Sequence, residues 1–219
     1  MGTITRNFAN NLTTSGLLKP TAFNNDSFDN VTAVPSGSVE TGDMQFISSA
    51  TASASASIEF TSGIDSTYKE YVFYFVNIHP QEDNRNLGFT MSTDGGSSYN
   101  VAKTTSFFFS YHDETDTYTG LGYQTAKDLA QGTGNQMILV ETGNDNDQSA
   151  SGYLHLFNPS STTYVKHFIA QSNSYEATNN NQHSFIAGYG NTTSAVNAIK
   201  FSMQSGNIDA GEILLFGVS

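Results

Sequence analysis

Cysteine and tryptophan are missing from this sequence, lysine and arginine are scarce, and no long apolar run occurs. Each absence closes a class. Without cysteine there is no disulfide framework, no thiolate metal site and no cysteine nucleophile. Eight Lys plus Arg stand against twenty Asp plus Glu, a formal charge of −12. Phosphate-backbone binding works through basic clusters, so this balance argues against nucleic acid and against anionic membranes as partners. No stretch approaches the length of a membrane span, which predicts no membrane insertion. The opening "MGTITRNFAN" has one Arg and no apolar h-region, which predicts no secretory signal.

What fills the space is Ser, Thr, Asn and Gly, together with sixteen Phe and eleven Tyr. Aromatic and β-branched residues favour strands. Polar, weakly charged, aromatic chains of this kind suit extracellular or particle-surface β-proteins.

The first 45 residues differ from the rest. They have no sustained period of two or 3.6 and cannot make a core of their own. Phe8, Leu12, Leu17, Leu18, Phe23 and Phe28 are scattered among Asn, Ser and Thr. They read as anchors of an extended N-terminal arm that docks on another surface; a disordered leader is the plainer alternative. From residue 46 strand signals take over. "FISSATASASASIEF" (46–60) alternates small residues on two faces and predicts a strand in preference to a Ser/Ala linker. "YKEYVFYFVNIHP" (68–80) is apolar on both faces, as a central strand would be.

Short strands are predicted at 103–112, 135–141, 151–159, 162–172, 184–190, 194–204 and 211–218, separated by Gly, Asn, Asp and Ser. Asp94-Gly95-Gly96 predicts a hairpin between two alternating runs. "YQTAKDLAQG" (123–132) has room for a helical turn or two. The closing "KFSMQSGNIDAGEILLFGVS" reads as a hairpin turning at Ser205-Gly206-Asn207, with its second strand inside a sheet. The fold expected for 46–219 is an antiparallel β-sandwich of jelly-roll type.

Catalytic motifs are absent: no G-x-S-x-G elbow, no phosphate-cradling Gly-rich loop, no H-E-x-x-H pair. The five histidines read as structural or surface residues, and His155 is expected to project away from Leu154 and Leu156. Two acidic loops, 112–120 and 143–152, invite comparison with calcium sites; the second lacks Gly and Glu where a helix-loop-helix calcium loop needs them. A solvated acidic turn is the reading for both. A pair of carboxylates for glycan cleavage needs a distance no sequence shows. Exposed aromatics are more informative. Phe108, Tyr111, Asp113 and Tyr118, in "SFFFSYHDETDTYTGLGY", form a candidate glycan or receptor contact, because ring faces stack on sugars and carboxylates bond to hydroxyls. Core and inter-subunit packing is the alternative for the same residues.

The runs "YKEYVFYFVNIHP", "FTMSTDGGSSY", "GYLHLFNPSSTTYVKHF" and "AGYGNTTSAVNAIKFSMQSGNIDAGEILLFGV" resemble β-domains in structural proteins of tailed bacteriophages, those of marine phages and cyanophages among them. The closing "SGNIDAGEILLFGV" is the most specific part, similar to "SG-x-I-x-x-G-x-I-x-L-Y-G" endings of tail-fibre domains, with Phe216 where Tyr is commoner. This resemblance implies a non-enzymatic virion protein, made in the host cytoplasm, with no cofactor and no catalytic residues to carry over. It implies a fibre or spike module for host attachment, anchored to other virion proteins by its arm. It also implies a homo-oligomer, most simply a trimer. A capsid decoration protein is the second expectation and a glycan-cleaving spike the third.

Overall fold

A computed structural model describes residues 44–218, and no helix occurs among them. Twelve strands follow in chain order: β1 (Met44–Thr51), β2 (Ile58–Phe60), β3 (Glu70–Pro80), β4 (Arg85–Ser92), β5 (Lys103–Asp113), β6 (Thr119–Tyr123), β7 (Gln136–Thr142), β8 (Ala150–Phe157), β9 (Lys166–Tyr175), β10 (Asn180–Gly190), β11 (Ala198–Met203) and β12 (Ile208–Val218). They form an eight-stranded sheet, ordered β1-β12-β3-β8-β9-β10-β5-β6, and a four-stranded sheet, ordered β2-β11-β4-β7. All pairings are antiparallel.

Alternation explains which side chains meet between the sheets. On β3, Tyr71, Phe73 and Phe75 point inward; on β12, Ile213 and Leu215 do; on β11, Ile199 and Phe201 answer from the small sheet. Phe201 is the hub. Its ring meets Phe60, Phe73, Phe75 and Phe89, with centroids 6.2, 5.3, 5.2 and 6.4 Å away. Burying each such ring stabilises the fold by roughly 1.5–3 kcal/mol.

The large sheet extends beyond the small one, and its inner face changes character there. Behind β9 and β10 the inward residues are Ser172, Ser174, Gln182 and Ser184, all buried. They face the edge strand β7. Ser172 Oγ donates to the Ile138 carbonyl, and Ser174 Oγ accepts the Val140 N–H at 3.3 Å. Serine hydroxyls thus occupy backbone groups that an edge strand would leave open. Behind β5 the cover is segment 127–136, where Thr105 Oγ1 donates to Gln136 Oε1 at 2.6 Å and accepts from the Leu129 amide at 2.8 Å. Lys166 is fully buried and needs no carboxylate. Its Nζ donates to the carbonyls of Ser161, Tyr164 and Thr192 at 2.6, 2.7 and 3.3 Å, tying two loops together.

Several expectations are corrected. The strand read over 46–60 breaks after Thr51. Ala52 and Ala54 still donate to the Gly211 and Asp209 carbonyls, but Ala54 takes a φ of 47° and the chain passes into the other sheet as β2. The Asp94-Gly95-Gly96 turn exists, with φ of 73° and 92° at the glycines. It makes no hairpin, because β4 pairs β11 and β7 while β5 pairs β10 and β6. The same holds for Ser205-Gly206-Asn207: β11 and β12 lie in different sheets. Both turns carry the chain from one sheet to the other. Segment 123–132 forms turns and no helix, and its first residue ends β6, a strand the sequence reading missed. The expectation for β12 stands: it lies between β1 and β3. The arm read over 1–45 ends earlier, since Met44 and Gln45 already pair in β1. Its anchors Phe8, Leu12, Leu17, Leu18, Phe23 and Phe28 lie outside the described residues.

Candidate functional site

The outward face of the large sheet carries the exposed rings. Its register places Leu214, Tyr74, Tyr153, Gln171, Phe185, Phe108 and Tyr123 directly opposite one another on seven successive strands. Opposed residues on one face touch. Phe46 meets Phe216 at 5.5 Å, Phe216 meets Tyr74 at 5.7 Å, and Tyr74 meets Tyr153 at 6.5 Å. His155 continues the chain to Phe157. It projects away from the buried Leu154 and Leu156, as the alternation predicts, and hydrogen-bonds Glu70 across the strands. Further along, Phe108 and Phe185 stack in parallel at 4.7 Å and His183 packs on Phe185 at 4.1 Å.

Between these rings the surface dips. Ala187 and Ser106 are opposed small residues beside Ile169. They form a saddle between the Phe108–Phe185 stack and the His167–Tyr189 pair. Three depressions of about 150, 610 and 480 Å³ share walls here. The first two share Ile169 and Ala187; the second and third share Phe157 and His167. Together they make one trough that runs along β9, β10 and β5 from Phe108 to Tyr164. Beyond the stack, His112, Asp113, Glu114, Asn173, Tyr175 and Asn181 line a further polar hollow of about 350 Å³.

Lysine and arginine are absent from this face, which carries the carboxylate of Glu70. The eight strands contain two lysines and no arginine, and both lysines, Lys103 and Lys166, are buried. Among the described residues Lys103 Nζ donates only to the Val101 carbonyl, at 3.2 Å, and burial lowers its pKa to about 8.

The four predicted contact residues do not form one site. Phe108 is on the outward face, 43% exposed. Tyr111 and Asp113 alternate to the opposite face. Tyr118 stacks on Tyr111 at 4.7 Å. Asp113 is occupied inside its own turn. Its carboxylate accepts from the Thr115 and Thr117 hydroxyls and from the Thr117 and Tyr118 amides, the last at 2.7 Å. These bonds, led by the Thr115 hydroxyl, hold its pKa well below the usual carboxylate range. The acidic cluster at 112–120 is therefore a closed hairpin turn. In the other acidic loop, Gln148 accepts the Asp145 N–H and His79 contacts the Asp145 carbonyl. Among the described residues no three His, Asp or Glu side chains gather as metal ligands would.

Sequence reasoning found Phe108 and missed Phe185, Ile169, His167 and Tyr189. The signal was present in "KHFIAQSNSY": its even-numbered residues Phe168, Ala170, Ser172 and Ser174 are buried, and its odd ones are the exposed set. Neither protein-family models nor curated proteins yield a match to this chain.

Proposed function

We propose that this chain is a non-enzymatic structural module of a bacteriophage particle, of the fibre or spike type, displayed for attachment to the host surface. The observation that carries this reading is the outward face of the large sheet, which offers rings to solvent and no lysine or arginine. Monomeric proteins seldom leave such contiguous apolar surface without a partner. The likeness of the strand runs to tail-fibre domains points the same way.

The fold reading within it is a jelly roll with additions. Four pairings are nested: β1 with β12, β2 with β11, β3 with β8, and β4 with β7. A long antiparallel ribbon folded over itself gives this nesting, and its successive strands alternate between the two sheets. In this reading β5–β6 and β9–β10 are two insertions that widen one sheet, and they carry most of the trough. The segment before β1 attaches the domain to other virion proteins, and the assembled form is a homotrimer.

Antibody labelling of purified particles tests the placement. Label at the tail or its fibres is expected. Label over the whole capsid would make the chain a decoration protein, and its absence from particles would end the virion reading. Light scattering of the full chain tests the trimer.

A further inference from the structure

We propose that the trough on the outward face of β9, β10 and β5 binds a linear, uncharged glycan. The proposal rests on the attachment reading and names the chemistry of the ligand.

Shape comes first. From Phe108 to Tyr164 the three depressions share walls in succession, and the polar hollow lies beyond the Phe108–Phe185 stack. The Ala187–Ser106 saddle keeps the middle open between the two aromatic walls. An elongated, open channel suits a chain molecule and leaves a compact one with few contacts.

Chemistry comes second. The exposed Phe108 ring, backed by Phe185, and the Tyr189 ring offer apolar surface to the C–H side of a pyranose. Gln171, Asn173 and Ser110 stand beside them in the adjoining rows and can bond to hydroxyls. No Lys or Arg on these strands faces outward to pair with a sulfate, phosphate or uronate. The −12 charge of the chain also repels polyanions. An uncharged, polyhydroxylated ligand meets both conditions.

Topology excludes the usual peptide mode. Extended peptides are captured by adding a strand to an open sheet edge. Here β9, β10 and β5 are each paired on both sides, so their backbone offers nothing to a peptide.

The test uses the full chain and a panel of uncharged hexasaccharides of glucose, mannose, galactose and N-acetylglucosamine, with a uronate hexamer as the acidic probe. Titration calorimetry reads binding. Adhesion of the full chain to host cells is measured in parallel. We expect at least one uncharged member to bind and the acidic probe not to bind. Phe185→Ala should weaken binding about tenfold or more. Ala187→Leu fills the saddle at an exposed position, so it should do the same without disturbing the fold. Lys200→Ala, on β11 of the small sheet, should change nothing. The proposal is overturned if no uncharged member binds at millimolar concentration, if the acidic probe is preferred, or if Ala187→Leu leaves affinity intact. It is also overturned if Ala187→Leu changes the oligomeric state, which would make the trough an interface between copies. Adhesion to cells that Ala187→Leu does not reduce would sink the trough and spare the attachment reading. No adhesion by any form would sink the attachment reading, while the titration still decides the trough.

Discussion

Phe73 and Phe201 meet edge to face across the gap between the two sheets, their centroids 5.3 Å apart. The contact joins an interior strand of the large sheet, β3, to an interior strand of the small one, β11, and Phe60 touches both rings. Phe201→Ala removes a fully buried ring that four others enclose. It should cost about 3–5 kcal/mol in urea unfolding. A loss below about 1 kcal/mol would mean that the sheets are held together elsewhere.

Lys103 should make stability rise with alkali. Its folded pKa is lowered from 10.5 to about 8, with burial as the cause. Between those values the unfolded chain binds the extra proton, so stability increases with pH through that window. Below pH 8 the full penalty is present, about 3 kcal/mol at 1.36 kcal/mol per pKa unit. Lys103→Met should raise the neutral-pH melting temperature and flatten the wild-type rise between pH 8 and 9.5. Tyr99, pushed up to about 12 mainly by burial, opposes the rise only as unfolded tyrosines ionise near pH 10. A wild-type stability that is flat or falling from pH 8 to 9.5 would contradict the assignment.

Asp113 should act locally. Its carboxylate closes the β5–β6 turn through four hydrogen bonds. Its folded pKa lies below the ordinary 3.8. The stabilisation is therefore complete above that ordinary value and is lost as pH falls through the depressed one. Asp113→Ala should speed amide exchange throughout β6 at pH 6 and leave β3 and β12 protected. Unchanged exchange in β6 would show that the strand does not depend on this turn.

Gly217 and Tyr68 should be coupled. A Cβ at residue 217 would come within 2.2 Å of the Tyr68 ring. Gly217→Ala alone should destabilise by about 1–3 kcal/mol through overpacking. Combined with Tyr68→Ala its added cost should vanish, a coupling that a double-mutant cycle measures. Strictly additive effects would refute the contact.

Strand content was legible because aromatic and β-branched runs with period two are local features. β3, β5, β8 and β12 announce themselves in this way. Partnership was not legible. Gly95 and Gly206 supply the positive φ that any sharp reversal needs, whether the next strand pairs with the last or crosses to the opposite sheet. Only the pairing of β4 with β11, far along the chain, separates those outcomes, and no local pattern encodes it. The site was half legible for a related reason. Phe108 and Tyr111 sit three residues apart in one aromatic run, yet an odd spacing on a strand sends them to opposite faces. Phe185, on which Phe108 stacks, comes from β10, and Ile169, which lines the same depression, comes from β9.

The nested pairing sets the order in which the protein can be made. Met44 and its neighbours find their partner strand only when residues up to Val218 have been synthesised. Until then β1 and β3 expose open edges beside the aromatic residues that will later be covered. Such long-range closure slows folding and lengthens exposure to aggregation. During translation, therefore, the nascent chain has to wait in an incomplete state, and expression at low temperature or with chaperones that shield strand edges should raise the soluble yield.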